Sequence, residues 1–105
     1  MKYKLFDCAD VIRSKNSGPY ELTFDIIFKT QDMFERFAAA NVITKTVFAT
    51  LYGISEADVI SVIAFAPAKA VKITIARPIA SGDLGENDVY GAQQHAPLLG
   101  FEFDM

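Results

Sequence analysis

Among 105 residues there is one cysteine, one histidine and no tryptophan. With Cys8 alone, no intramolecular disulfide can form and no Cys-rich zinc site can be assembled. With His95 alone, a metal site would depend on Asp83, Glu86 or Asp88, whose spacing matches no recognised metal loop, so neither metal nor cofactor is expected. Long hydrophobic runs are also missing. The longest, Val62–Pro67 with its neighbours, is far too short to cross a bilayer as a helix, which argues against a membrane partner. No charged start leads into an apolar run and a small-residue cleavage site, so a secretory signal is not expected and a cytoplasmic setting is. A net charge of −3 supplies no basic footprint for phosphate neutralisation, which argues against nucleic acid as a partner.

What is present is a core. Hydrophobic residues make up 51% of the chain, nine of them Phe, and this length can bury roughly 60–70% of the unfolded surface. One domain spanning residues 1–105 is expected, without staples. The charge is unevenly spread. Residues 1–77 carry every Lys and Arg and a net +2, whereas residues 78–105 carry five acids, no base and a net −5. The acidic segment either lies over Arg13 and Lys15 or is simply solvated.

Periodicity orders the chain. Tyr3–Phe6 reads as a short strand, and Asp7 as the cap of a brief helix through Arg13 with Val11 and Ile12 inward. Ser14-Lys15-Asn16-Ser17-Gly18-Pro19 reads as the turn that ends it. In Glu21–Phe28 the residues Leu22, Phe24, Ile26 and Phe28 alternate with Glu21, Thr23, Asp25 and Ile27, the period of a half-buried strand. Thr30 is placed to cap a helix bearing Met33, Phe34, Phe37 and Ala38, and Thr44 a second bearing Val47, Phe48, Leu51 and Tyr52, with Gly53 as a left-handed stop. Val59–Ala66 is nearly all apolar and reads as a strand with most of both faces covered. Val71–Arg77 would pair with it as an antiparallel hairpin, and Leu99–Phe103 would form the last strand. Strand, helix pair, strand, strand, long loop and strand imply an α+β fold: a ferredoxin-like antiparallel sheet with helices on one face and the second helix replaced by the loop. The other face, with Ile27, Thr23, Thr74 and Lys72, is mixed enough to be solvated or to meet another subunit.

The stretch Pro78–Pro97 is too long for a passive connection, since structureless loops beyond about 12–15 residues are usually functional or disordered. It holds the only histidine, and His95 is the default general acid or base, against the plainer reading of a backbone hydrogen-bonding group. Arg13, Lys15 and Asn16, with Ser14, Ser17 and Gly18, make a loop able to hold a carboxylate or phosphate, although without the spacing of a phosphate-binding motif. The plainer reading there is a surface turn. Arg77 ends a strand beside the long loop and is a secondary ligand-binding candidate. Cys8 is either a buried core residue or, near a helix start, an activated thiol.

Three blocks carry a resemblance: Val11–Asn16, Gly18–Ile26, and Asp88-Val89-Tyr90-Gly91-Ala92-Gln93-Gln94-His95-Ala96-Pro97-Leu98. Together they look like the family catalogued as domain of unknown function 4387. That family is similar to the C-terminal ferredoxin-fold domain of the AtuA-like (acyclic terpene utilisation) proteins. The resemblance implies a setting in bacterial catabolism of branched, terpenoid or other organic acids, often as CoA esters, and no particular reaction. Arg13, Lys15, Asn16, Tyr90, Gln93, Gln94 and His95 fall inside its blocks and are therefore ligand-binding or catalytic candidates. Three roles follow: an accessory subunit of an AtuA-like protein; a small hydratase, lyase or isomerase with His95 as acid/base and Arg13 or Lys15 anchoring a carboxylate or acyl-CoA; or a homo-oligomer built on the open sheet face.

Overall fold

Strand pairing follows from where the chain carries alternating apolar residues. In the computed structural model residues 2–18, 20–76 and 96–105 are described, with the backbone alone for residues 17, 18 and 96. Of the stretch Pro78–Pro97 expected to replace a second helix, all but Ala96 and Pro97 lie outside those residues.

The chain runs β1 (Lys2–Lys4), α1 (Leu5–Cys8), β2 (Ala9–Gly18), β3 (Glu21–Phe28), α2 (Gln31–Ala39), α3 (Lys45–Tyr52), β4 (Val59–Phe65), β5 (Ala70–Ala76), α4 (Ala96–Leu99) and β6 (Glu102–Asp104). The main sheet is antiparallel, in the order β2-β3-β5-β4. The fold is α+β and ferredoxin-like. β3, the helix pair, β4 and β5 form a split βαββ unit in which β5 inserts between the strands the helices connect.

The fourth place in that sheet, beside β3, is taken from the N-terminal side by β2. This corrects two readings. The expected helix Asp7–Arg13 and the expected turn Ser14–Pro19 are instead one strand of ten residues, Ala9–Gly18, after a helix of only four. The β-branched pair Val11–Ile12 fits a pleated surface better than a helix. Pairing also gives the whole segment a ladder, from Ala9 opposite Phe28 to Gly18 opposite Glu21. The last strand is corrected as well: Leu99 closes α4, and only Glu102–Asp104 is extended, pairing with β1 in a separate two-stranded sheet.

The helices form where capping and stripe agree. The Thr30 hydroxyl accepts from the Met33 amide and the Thr44 hydroxyl from the Val47 amide. Gly53 ends α3 at φ 65°, the left-handed conformation that costs glycine nothing. Their apolar faces cover Leu22, Phe24, Ile26 and Phe28 of β3 and Val71, Ile73 and Ile75 of β5. Phe24 meets Phe48 and Tyr52 edge-on at 5.0 and 5.1 Å between ring centres, geometry that aromatic quadrupoles favour. Phe103 lies edge-on to Phe37 at 5.1 Å and stacks on Tyr3, so the small β1–β6 sheet closes the end of the core.

Cys8 is buried in this core, and burial, then Asp7, push its thiol pKa up. That suits a small core residue rather than an activated nucleophile. No described helix is long and apolar enough to cross a membrane.

β4 differs from its sequence reading. Although almost wholly apolar, it is the outer strand of the sheet among the described residues, and Ile60, Ile63 and Phe65 are about half exposed.

Candidate functional site: the open face of the sheet

Alternation sends every second residue of β2, β3, β5 and β4 away from the helices. On that side the register aligns Arg13, Asp25, Lys72 and Ile63 in one row, and Lys15, Thr23, Thr74 and Ser61 in the next. Val11, Ile27, Ala70 and Phe65 form a third.

At the centre sits Asp25, only 3% exposed although its side chain points away from the core. A carboxylate removed from water needs counter-charge and donors. Arg13 Nε donates to Asp25 Oδ2 at 3.1 Å from one neighbouring strand. From the other, Lys72 Nζ stands 3.7 Å from Oδ1, an ion pair beyond hydrogen-bond length. The two cations keep about half of their side-chain surface in solvent, 57% and 47% exposed, while the carboxylate side chain between them is 4% exposed. Lys72 also lies over the Phe65 ring, 5.9 Å from its centre. One row on, the Thr23 and Thr74 hydroxyls are 3.5 Å apart.

The face therefore offers two cations anchored by a shared anion, with Lys15 beside them and exposed apolar groups, Val11, Ile63 and Phe65, along its margin. Asp25 acts as a clamp between strands: Oδ2 accepts from Arg13 and Oδ1, buried without a hydrogen bond, is held by the longer ion pair to Lys72. Arg13 and Lys15, two residues apart on β2, are brought together here with Lys72. Asn16 is not: it lies opposite Leu22 in the register, on the alternate side of the strand, and is half-buried. Arg77, Tyr90, Gln93, Gln94 and His95 lie outside the described residues, and so does the His95 side of the pocket expected with Arg13. Among the described residues the carboxylate partner of Arg13 is Asp25; Asp83, Glu86 and Asp88 of the acidic segment lie outside those residues.

Asp25 and Lys72 were absent from the sequence candidates. The signal was an Asp in the middle of an otherwise well-formed strand, where that residue is disfavoured unless a neighbour supplies charge. Among the described residues there are also clefts away from the Arg13–Asp25–Lys72 row. One, of about 230 Å³, runs between the end of α2 and β4 and is lined by Phe37, Asn41, Ile43, Val62 and Val71. Another, of about 450 Å³, lies beside Phe6, Asp10, Val11, Lys29 and Leu99.

The family described as Domain of unknown function (DUF4387) matches residues 5–102, nearly the whole chain. The chain belongs to this family. No curated protein and no solved structure matched it. The matched residues of this chain span β2, β3 and β5 and so include Arg13, Asp25 and Lys72.

Proposed function

We propose that this DUF4387 chain is an interaction subunit, docking through the open face of its sheet on a larger AtuA-like protein. Its setting is the catabolism of branched, terpenoid or other organic acids, in keeping with the resemblance carried by its sequence blocks. The observation that supports the reading is the Arg13–Asp25–Lys72 row: half-exposed cations held at fixed spacing, beside apolar Val11 and Phe65, on a face that no described helix covers. Anchored charges specify register and partner, and adjacent apolar side chains supply the area that drives association. Three cations, Arg13, Lys15 and Lys72, against one neutralised carboxylate call for an acidic rim on the partner.

Co-expression with an AtuA-like protein and size-exclusion chromatography test this. Co-elution is expected at low salt, weakening as salt screens the rim. Lys15→Glu and Val11→Glu, both on exposed positions of β2, are expected to separate the two proteins without unfolding the chain. Separate elution of the unaltered proteins at low salt would overturn the reading.

A further inference from the structure

The two outer strands of the main sheet are guarded very differently. β2 carries Asp10, Arg13 and Lys15 along its length, charges that oppose edge-to-edge pairing. β4 reads Val-Ile-Ser-Val-Ile-Ala-Phe and runs into Ala-Pro-Ala, ten residues without a charge. Proline appears only in the turn beyond the strand. Among the described residues nothing pairs with the outer side of β4, and Ile63 and Phe65 are 54% and 45% exposed. A β-branched, uncharged outer strand with open backbone donors and acceptors pairs with another strand unless something prevents it. The one irregularity, a register shift between Val59 and Ser61, leaves Ser61–Phe65 regular.

We infer that this edge is the seat of a homodimer, β4 of one copy pairing antiparallel with β4 of a second about a twofold axis at Ile63. The occupant follows from the chemistry. An edge without charge meets its own copy with no like charges opposed, whereas a charged partner strand would gain no ion pair from it. The register follows from the regular stretch. Centring on Ile63 pairs Ser61 with Phe65 and Val62 with Ala64, keeps residues of one face together, and leaves the irregular start of the strand outside. The two sheets then become one of eight strands, with the paired Ile63 side chains and each Phe65 covering apolar surface that a single copy leaves in water. Five paired residues alone fall short of the ~800 Å² per partner of a standard interface. The exposed turn Ala66–Ala68 and the side chains of Ile63 and Phe65 must contribute, and the affinity is expected to be micromolar. This dimer uses the backbone edge of β4 and shares Ile63 and Phe65 with the open face. Lys15→Glu and Val11→Glu on β2, at the opposite side of the sheet, distinguish it from docking on a larger protein: they should leave the dimer intact.

The test is sedimentation of the full chain over a micromolar concentration series. The unaltered chain is expected at twice 11.6 kDa. Ile63→Glu and Ile63→Lys each place like charges opposite one another at the axis and are expected to weaken the dimer by roughly tenfold or more. Mixing the two variants is expected to restore it. Both substitutions fall on an exposed position, and circular dichroism checks that each variant stays folded. In a Cys8→Ala background, Ile63→Cys is expected to form a disulfide-linked dimer on oxidation, because antiparallel partners stand about 4.5–5.5 Å apart at Cα. An unaltered chain that is monomeric throughout the series would overturn the inference, as would a dimer indifferent to Ile63→Glu or one that no mixture restores.

Discussion

Removing Arg13 should cost the fold much more than its exposure suggests. The Arg13 side chain is 57% exposed, but its Nε holds a carboxylate side chain that is 4% exposed, at 3.1 Å. A hydrogen bond to a charged group is worth about 1.5–3 kcal/mol. Breaking a fully buried ion pair costs about 3–5 kcal/mol, through the charge left behind. The true figure lies at the lower end, because losing the Arg13 side chain opens a path for water to Asp25 Oδ2 and Lys72 remains 3.7 Å from Oδ1. Arg13→Ala is therefore expected to destabilise by about 2 kcal/mol, a fall in midpoint of roughly 8–16 °C for a domain of this size. Lys72→Ala, which removes a longer contact, should cost less than about 1 kcal/mol. The assay is urea unfolding at one fixed protein concentration, since self-association would shift the midpoint. A cycle of Arg13→Ala, Asp25→Ala and the double variant should show a coupling of about 1–2 kcal/mol. If Arg13→Ala costs under about 0.5 kcal/mol and the cycle is additive, the carboxylate is hydrated and the clamp does not exist.

Other expectations follow from single features. Burial holds the Tyr52 hydroxyl pKa well above its ordinary value. The protonated phenol thus contributes stability that is intact below the unfolded pKa of about 10 and is lost progressively as pH rises from there through the higher folded value. Thermal melts at rising alkaline pH should fall more steeply in the parent than in Tyr52→Phe; equal slopes would contradict this. Gly53→Ala should destabilise by about 1 kcal/mol through backbone strain at φ 65° alone, because no atom lies within 4 Å of the added Cβ. A chemical melt showing no loss would contradict that. Cys8 should resist alkylation in the native chain at neutral pH and react once urea unfolds it, a contrast read directly by mass spectrometry. A panel of organic acids and acyl-CoA esters should leave the midpoint of the isolated chain unchanged. A rise that His95→Ala abolishes would favour a small enzyme over an interaction subunit.

How far the sequence could be read depended on how local the physics was. The caps at Thr30 and Thr44, the stop at Gly53 and the apolar stripes of α2 and α3 were all legible, because each depends on residues within one or two turns. The alternation of β3 was legible for the same reason. Residues 5–18 were misread because Asp7 and the polar run after Arg13 resemble a cap and a turn. What makes Ala9–Gly18 a strand is a neighbour, β3, whose ladder reaches along its whole length. Asn16 was grouped with Arg13 and Lys15 as one loop, but a strand sends Asn16 to the alternate side.

The amino-acid order by itself determined the buried face of β3, where α2 and α3 begin and end, and the family. Those properties are set by side-chain period and by capping within a few residues. Tertiary structure alone decided that β5 stands between β3 and β4, which turned the most apolar strand into an outer edge. It also decided that Asp25 faces Arg13 from one side and Lys72 from the other. Residues 13, 25 and 72 are remote along the chain, and only the pairing of three strands makes one clamp of them.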